Sequence, residues 1–576
     1  MSRSVFLPFL ALSALLGACG ASPPPATSPA PAATASAAPH TGTHAPARPV
    51  TLAWLAETAI PLSGLGTHTR PVTTRSVEAQ AYFDQGLRLL YSFNHDEATR
   101  SFAKAAALDP KCAMCFWGAS ITLGPNYNVP MLAERSVMAW EALQKAIAAA
   151  PSAKPVEQAL IGALAKRYGG PEYRDPAAQQ PYTEAYAAAM REVARKFPAD
   201  DDVQVLFAEA LMNIEPWQLW TLDGKPGKNT PEIVTTLEKV LARAENHPGA
   251  NHYYIHAIEA SPQPQKALPS ADRLAGLVPG AGHIVHMPAH IYQRVGRYAD
   301  ASAHNRRAAE ADEATMAKIQ PWGYYPMYLG HNYGFLSFSA SMEGRSKESL
   351  EAARKAAQAM PPSMLEMMPG MDFFAAEPIL AMVRFGKFDE LLAEPRPDPR
   401  HQVMTALWLH GHGMALAAKG RLPEARMDHA DLVRLMGSAK PELRAGNNAA
   451  RDVMAVAAKV LEARIAEKQA KNKREALPLW AEAVSMSDKL AYSEPNDWFY
   501  PVRHYHGAAL VAAGKFAEAE AVYREDLLKN PGNGWALFGL REVLGRLHQT
   551  KEAAAVDAQL RKAWARADIE LTATAF

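Results

Sequence analysis

Histidine recurs in this chain at a fixed offset. His252 and His286 are 34 residues apart, and so are His256 and His290. A period of about 34 residues is the length of one helix–turn–helix unit, and a unit that short buries its apolar face only by stacking on its neighbours. The histidines are also ordered within each unit. His252, His256 and Glu259 stand at i, i+4 and i+7, and His283, His286 and His290 at i, i+3 and i+7, so each set predicts one stripe on a helix face. Six of the 19 histidines fall in the 44 residues from His247 to His290, far above even spreading.

The frame extends well beyond the histidines. The segment AYFDQGLRLLYSFNHDEATRSFAKAAALDP, beginning at Ala81, has Gly86 and Ala98 at small positions of two successive helices, Phe102 and Ala105 between them, and Pro110 at the close. Small residues let paired helices approach, and the proline ends the second helix. Later units carry Ala208 and Pro248; Ala267 and Pro279; Ala289, Gly296 and Ala301; Ser337, Gly344 and Pro361; Gly413, Gly420 and Ala425; and Gly507, Gly514, Ala519 and Pro531. This pattern resembles the tetratricopeptide repeat over most of residues 79–565, with insertions near 216–229 and 314–326. The resemblance implies an all-α, right-handed helical-repeat solenoid. Residues 51–78 read as a lead-in segment and 566–576 as a tail. No segment reads as a convincing strand.

A chain of 576 residues exceeds one compact core, which suits a repeat array. Its net charge of +1 and lack of a basic run give no case for nucleic acid. The N-terminus has Arg3, the short apolar run VFLPFLALSALL and then Leu16-Gly17-Ala18-Cys19. This resembles a bacterial lipoprotein signal peptide over residues 1–18, with Cys19 as the lipidated first residue. Residues 19–50 are rich in Ala, Pro, Ser and Thr and cannot bury enough apolar surface to offset their ordering entropy, so a disordered tether is expected. The body has no apolar stretch near the roughly 20 residues of a membrane span. These features place the protein in the cell envelope, lipid-anchored, with Gly20 pointing to the outer membrane and the body facing the periplasm.

Tetratricopeptide proteins touch ligands chiefly through positions 2, 5, 9 and 12 of the first helix of each repeat. Counted from the turn glycines and closing prolines, His252, His256 and Glu259 take positions 5, 9 and 12. His283, His286 and His290 take positions 2, 5 and 9, and His331 takes position 2 of the next repeat. Seven candidate ligands from three consecutive helices would then face one concave groove. Neutral imidazole suits zinc, copper, iron or nickel, and the carboxylate shifts the choice toward zinc or iron. Six histidines and a glutamate exceed one tetrahedral shell, so one or two transition-metal ions are expected. The alternative is polar lining of a groove, or histidines paired with backbone and tyrosine hydroxyls. Pro288 requires the helix to start near His286, which would leave His283 on the entering loop. His247, before Pro248, reads as a cap.

Glu209 and Asn213, at positions 9 and 13 of the preceding repeat, and Tyr253 and Tyr292, beside the histidines, are expected to line the groove. Tyr324 and Tyr325 stand near the cluster in sequence. Cys112 and Cys115 are the only cysteines of the body. Phe116 follows them, so haem attachment is not supported. A local disulfide is the first reading in an oxidising compartment, ahead of a redox-active pair or two free thiols. Met360, Met364, Met367, Met368 and Met371 form a methionine-rich connector, read as adaptable apolar surface before copper(I) ligands. His410 and His504 also take position 5 of their repeats but lie far along the array. No nucleotide-binding loop, nucleophile elbow or HExxH motif occurs. The functional expectation is a scaffold binding a peptide, protein or small molecule in a metal-bearing groove. The rival readings are a metal-dependent hydrolase or oxidoreductase and a metal storage or transfer protein, with catalytic residues unassigned.

Overall fold

The structure, a computed structural model, describes residues 49–360, 365 and 370–576. The signal peptide, Cys19 and nearly all of the 19–50 tether lie outside those residues, as do Met364, Met367 and Met368.

Helices follow one another in antiparallel pairs from Val77 to Ala563. Their starts are set by side-chain caps. Ser76 accepts from Ala79 N at the head of Val77–Leu90, Asn94 from Glu97 N at the head of His95–Leu108, and Asp200 from Val203 N at the head of Asp201–Met212. Many pairs turn on a glycine with positive φ, as at Gly296 (77°) and Gly344 (72°), a conformation that side-chain-bearing residues rarely adopt. The small positions act as the repeat pattern predicts. A Cβ at Gly86 or Gly118 would lie 2.8 or 2.3 Å from the Phe102 ring, so both helices close on that ring only because they lack one. Among the described residues, the β-structure consists of a two-residue hairpin, Arg444–Ala445 against Asn448–Ala449, and one isolated bridge, Trp220 to Pro226.

Two large apolar cores run through the solenoid. One draws on residues from Leu65 to Phe335, the other from Tyr298 to Leu560. The winding is tight enough for distant turns to touch. Trp535 Nε1 donates to Ser341 O at 2.9 Å, Gly280 N to Gly64 O at 2.7 Å, and a Cβ on Gly296 would collide with Pro531 O. The lead-in segment is therefore part of the folded body, and Leu55 and Ala56 pack on Ala103.

Winding of this kind changes the expected groove. All five histidines of the two stripes are at most 2% exposed and Glu259 is 1% exposed, so they lie in the interior rather than on an open concave face. The stretch around Tyr324–Tyr328 and the loop carrying Glu494 fold over them. Pro288 is the first residue of the helix Pro288–Arg294, as its chemistry demands. His283, however, belongs to a separate helical turn, Gly282–His286, and not to an entering loop. Met287 keeps helical angles between the two pieces, so the stripe survives the proline. Cys112 and Cys115 are joined as a disulfide at the start of the helix Ala113–Leu123.

Candidate metal centre

Three helical segments and part of a fourth bring the histidines together. Pro248–Glu259 supplies His252, His256 and Glu259, Gly282–His286 supplies His283 and His286, Pro288–Arg294 supplies His290, and Pro326–Met342 supplies His331. They fall into two sets. In one, donor atoms of His252, His256 and His283 all lie within 4.8 Å of one another; in the other, those of His286, His290 and His331 do. The sets adjoin, with the His283 and His286 rings 5.8 Å apart and those of His256 and His290 5.5 Å apart.

What lies behind each ring decides which nitrogen faces inward. Nδ1 of His252 stands 2.6 Å from Tyr91 O, and Nδ1 of His286 2.5 Å from Asn305 Oδ1, whose amide is oriented by its own donation to Ala301 O. Nδ1 of His256 and of His290 stand 3.1 and 2.7 Å from the two oxygens of Glu259. A carbonyl, amide oxygen or carboxylate only accepts, so all four Nδ1 atoms carry the proton and donate. In the neutral imidazoles the lone pair is then on Nε2. Ring nitrogens of metal ligands are oriented in this way, through a hydrogen bond from the opposite nitrogen. Both oxygens of Glu259, expected as a ligand, face imidazole nitrogens, so it clamps His256 and His290 from behind; with those two it also forms a third group whose donor atoms all lie within 4.8 Å of one another.

The inward nitrogens converge. His252 Nε2 is 3.2 Å from His283 Nε2, while His286 Nε2 is 2.7 Å from His290 Nε2 and 3.1 Å from His331 Nε2. Two neighbours thus compete for the single lone pair of His286. Ligands held by a tetrahedral ion at about 2.0–2.1 Å lie about 3.3 Å apart, close to the separations of these nitrogens. Several buried atoms have no hydrogen-bond partner: His256 Nε2, His283 Nδ1 and Glu494 Oε1, whereas Glu494 Oε2 is ion-paired with His290 Nδ1 at 3.1 Å. Such orphans cost about 1–3 kcal/mol each and call for an explanation.

Electrostatics supports the same use. Burial, reinforced by neighbouring imidazoles, pushes His252, His283 and His286 well below the ordinary histidine value, and His331 to about 3. Burial also lowers His256, against the pull of Glu259. These five are neutral near pH 7, the ligand form. His290 differs: burial opposes its charge, but Glu259 and Glu494 outweigh it and hold it up at about 10. Burial acts on Glu259 too, yet His256 and His290 keep it down at about 2. The surroundings are apolar, with Phe93 4.6 Å from the His252 ring and Phe335 5.0 Å from that of His286.

Above the centre is a cavity of about 660 Å³. His256, His283, His290 and His331 form part of its lining, with Glu377 and Glu494 beside them. Glu494 stands 3.1 Å from His290 Nδ1 and comes from a loop more than 200 residues away in sequence. Sequence reasoning missed it, together with Asn305, Tyr91 O and Glu377. A lone glutamate in an aperiodic Ser-Glu-Pro segment carries no signal, and backbone acceptors carry none at all.

The expected groove-lining residues are placed elsewhere. Glu209 bonds Asn213 and feels Arg167, while Tyr292 donates to Asp272 at 2.6 Å beneath Arg297. Tyr253 stacks on Phe93 at 5.4 Å and packs on the His252 ring at 5.2 Å, behind the centre. Tyr328 is the tyrosine over His283, with ring centroids 4.6 Å apart, and Tyr127 covers His256 at 5.0 Å. Tyr324 and Tyr325 bond Asn126 and Asp312. His410 and His504 stay apart from the cluster, bonded to Tyr500 and Asp526. Met371 lines the cavity and Met360 is buried.

Fold and site together define a helical-repeat protein with an interior polyhistidine centre. No protein-family model matches the chain, and no curated protein does. Among solved structures, a human IFIT1 dimer with m7Gppp-AAAA is 12% identical over 85% of this chain and 91% of that one, at a TM-score of 0.33. Yeast Tom70 is 12% identical over 84% and 96%, at 0.29, and the tetratricopeptide domain of P58(IPK) 13% over 82% and 99%, at 0.21. Identities and TM-scores this low transfer nothing about the site.

Proposed function

We propose that this protein binds two transition-metal ions, one in each three-histidine set, and that the ions present an open face to a small molecule in the cavity above them. The observation that carries the proposal is the convergence of imidazole nitrogens whose opposite nitrogens are tied to acceptors. Three protein ligands per ion leave a position for a water or substrate, the arrangement of catalytic rather than purely structural sites. The ions act as Lewis acids toward a donor atom held in the cavity. This favours a metal-dependent enzyme over a peptide- or protein-binding scaffold, because about 660 Å³ is the size of a small-molecule site. The Leu16–Cys19 motif supports envelope anchoring, and a Cys19→Ser variant should lose labelling by a radioactive fatty acid.

Elemental analysis of the purified protein tests the metal reading. Two ions per chain are expected, either as isolated or after incubation with zinc or copper(II). A protein that stays at background metal content, with an unchanged melting temperature on adding either ion, would refute it.

A further inference from the structure

A second cavity, of about 300 Å³, adjoins the loop that carries Glu494. Asn496 and Asp497 line both cavities, whereas Glu494 lines that of the metal centre alone, so the loop is a partition between the two. The walls come from two segments outside the repeat pattern, the insertion with Trp220 and Leu222 and the stretch from Leu490 to Pro501, and from the helix ends that carry Arg294 and Leu528. Leu222 is 63% exposed and Leu528 81%. Exposed leucines found singly need no explanation, but two on the rim of one cavity mark apolar surface that a guest would cover.

The polar side of the lining is unevenly satisfied. It holds three cations, Arg294, Arg503 and Lys529, and three carboxylates, Asp488, Asp497 and Asp526. Asp488 accepts from Arg503 at 2.6 and 2.5 Å and from Lys529 at 2.6 Å. Asp526 accepts from His504 and Asn533, and Asp497 from Asn447 N and Asn448 Nδ2. Arg294 is the exception. Its Nε donates to Glu259 O at 3.0 Å and its Nη2 to Ser261 O at 3.4 Å. Among the described residues it has no carboxylate partner, and its Nη1 makes no hydrogen bond. Beside it are two more donors without acceptors, Tyr492 OH and Trp498 Nε1, both on residues of the same lining.

We propose that this second cavity binds an aliphatic monocarboxylate of medium chain length, with the carboxylate on Arg294 and the chain over Trp220, Leu222 and Leu528. One unpaired guanidinium balances one negative charge, and charge-assisted donation to a carboxylate is among the stronger hydrogen bonds. The volume is at the small end of ligand sites, too small for a peptide chain. The site stands or falls independently of the metal reading.

Calorimetric titration of the full-length protein in excess EDTA with octanoate, octanol, octylammonium and butanoate tests it. Octanoate should bind at one site per chain, about tenfold or more tighter than octanol, with octylammonium not binding. Butanoate should be weaker by about threefold for each methylene lost. Arg294→Gln should weaken octanoate about tenfold and leave octanol unchanged. Because Arg294 also holds the end of the helix Pro248–Glu259, the exposed Leu528 supplies a second variant: Leu528→Glu should weaken octanoate several-fold with the melting temperature unchanged. Absence of saturable octanoate binding, octanoate bound no tighter than octanol, or octanoate binding that either substitution leaves unchanged in a folded protein would overturn the inference. So would octanoate binding that appears only after zinc replaces EDTA, which would put the carboxylate at the metal centre instead.

Discussion

Two buried histidine clusters lie close together in this protein and do opposite things with their protons. The centre described above gathers six imidazoles. The second cluster, His68, Asp202 and His247, also places three ligand-type atoms within 4.8 Å. There His247 Nδ1 accepts from Ala250 N, so its proton is on Nε2, which donates to Asp202 Oδ1 at 3.2 Å. The same oxygen receives His68 at 2.9 Å and Tyr91 OH at 2.7 Å, and Oδ2 receives Arg70 at 3.0 Å. No buried side-chain N or O of His68, Asp202 or His247 lacks a partner. Asp202 is saturated, and the cluster ties the lead-in segment to the helices Asp201–Met212 and Pro248–Glu259. In the six-histidine centre, acceptors behind His252, His256, His286 and His290 hold the Nδ1 protons outward and turn the Nε2 atoms inward. Histidine density alone does not distinguish the two clusters; the group bonded to the far nitrogen does.

Substitutions should separate the two clusters, most sharply at the imidazoles. His286→Ala or His252→Ala should each remove one of the two ions, read as metal per chain after dialysis. Loss of both ions from either variant would make the two sets a single site. Next in size is Glu259→Gln, which removes the charge that orients His256 and His290. Outer partners of metal-bound histidine are worth about 10–100-fold in affinity, so competition with a chelator should show weakening of that order at both ions. Weakening at neither would mean Glu259 has no part in orienting ligands.

His247→Ala should leave metal content untouched and lower folding stability by about 1–3 kcal/mol in urea, the cost of taking a partner from a buried carboxylate. Metal loss in this variant would erase the contrast. The smallest effect concerns acid. Burial raises Asp202, but donation from His247 and His68 and the charge of Arg70 outweigh it and hold it well below 3.8. Its stabilisation is fully present above the unfolded value and is lost as pH falls through the depressed folded one. Stability of the metal-stripped protein should therefore decline below about pH 4 with a slope that Asp202→Asn reduces; an unchanged slope would assign the acid sensitivity to other carboxylates.

The repeat frame was legible because it is periodic. Gly86, Gly296 and Gly344 recur where helices cross or turn, and the 34-residue offset puts His252 with His286 and His256 with His290. It also brought in His331, one unit further on. Its failures share one cause: position in a repeat gives the face of a helix but not what packs on that face. Glu209 and Tyr292 are on predicted faces, yet Glu209 accepts from Asn213 and Tyr292 donates to Asp272. Glu494 belongs to an aperiodic loop, and only the winding of the solenoid delivers it to His290. Glu259 falls where its repeat position put it, against His256 and His290, but sequence does not tell a ligand from the clamp behind one.

Anomalous diffraction from crystals grown with zinc, recorded on either side of the zinc edge, puts the central claim to its most direct test. Two peaks are predicted, one among His252, His256 and His283 and one among His286, His290 and His331, with none at Asp202. Peaks at the Asp202 cluster, or none within either three-histidine set, would contradict it.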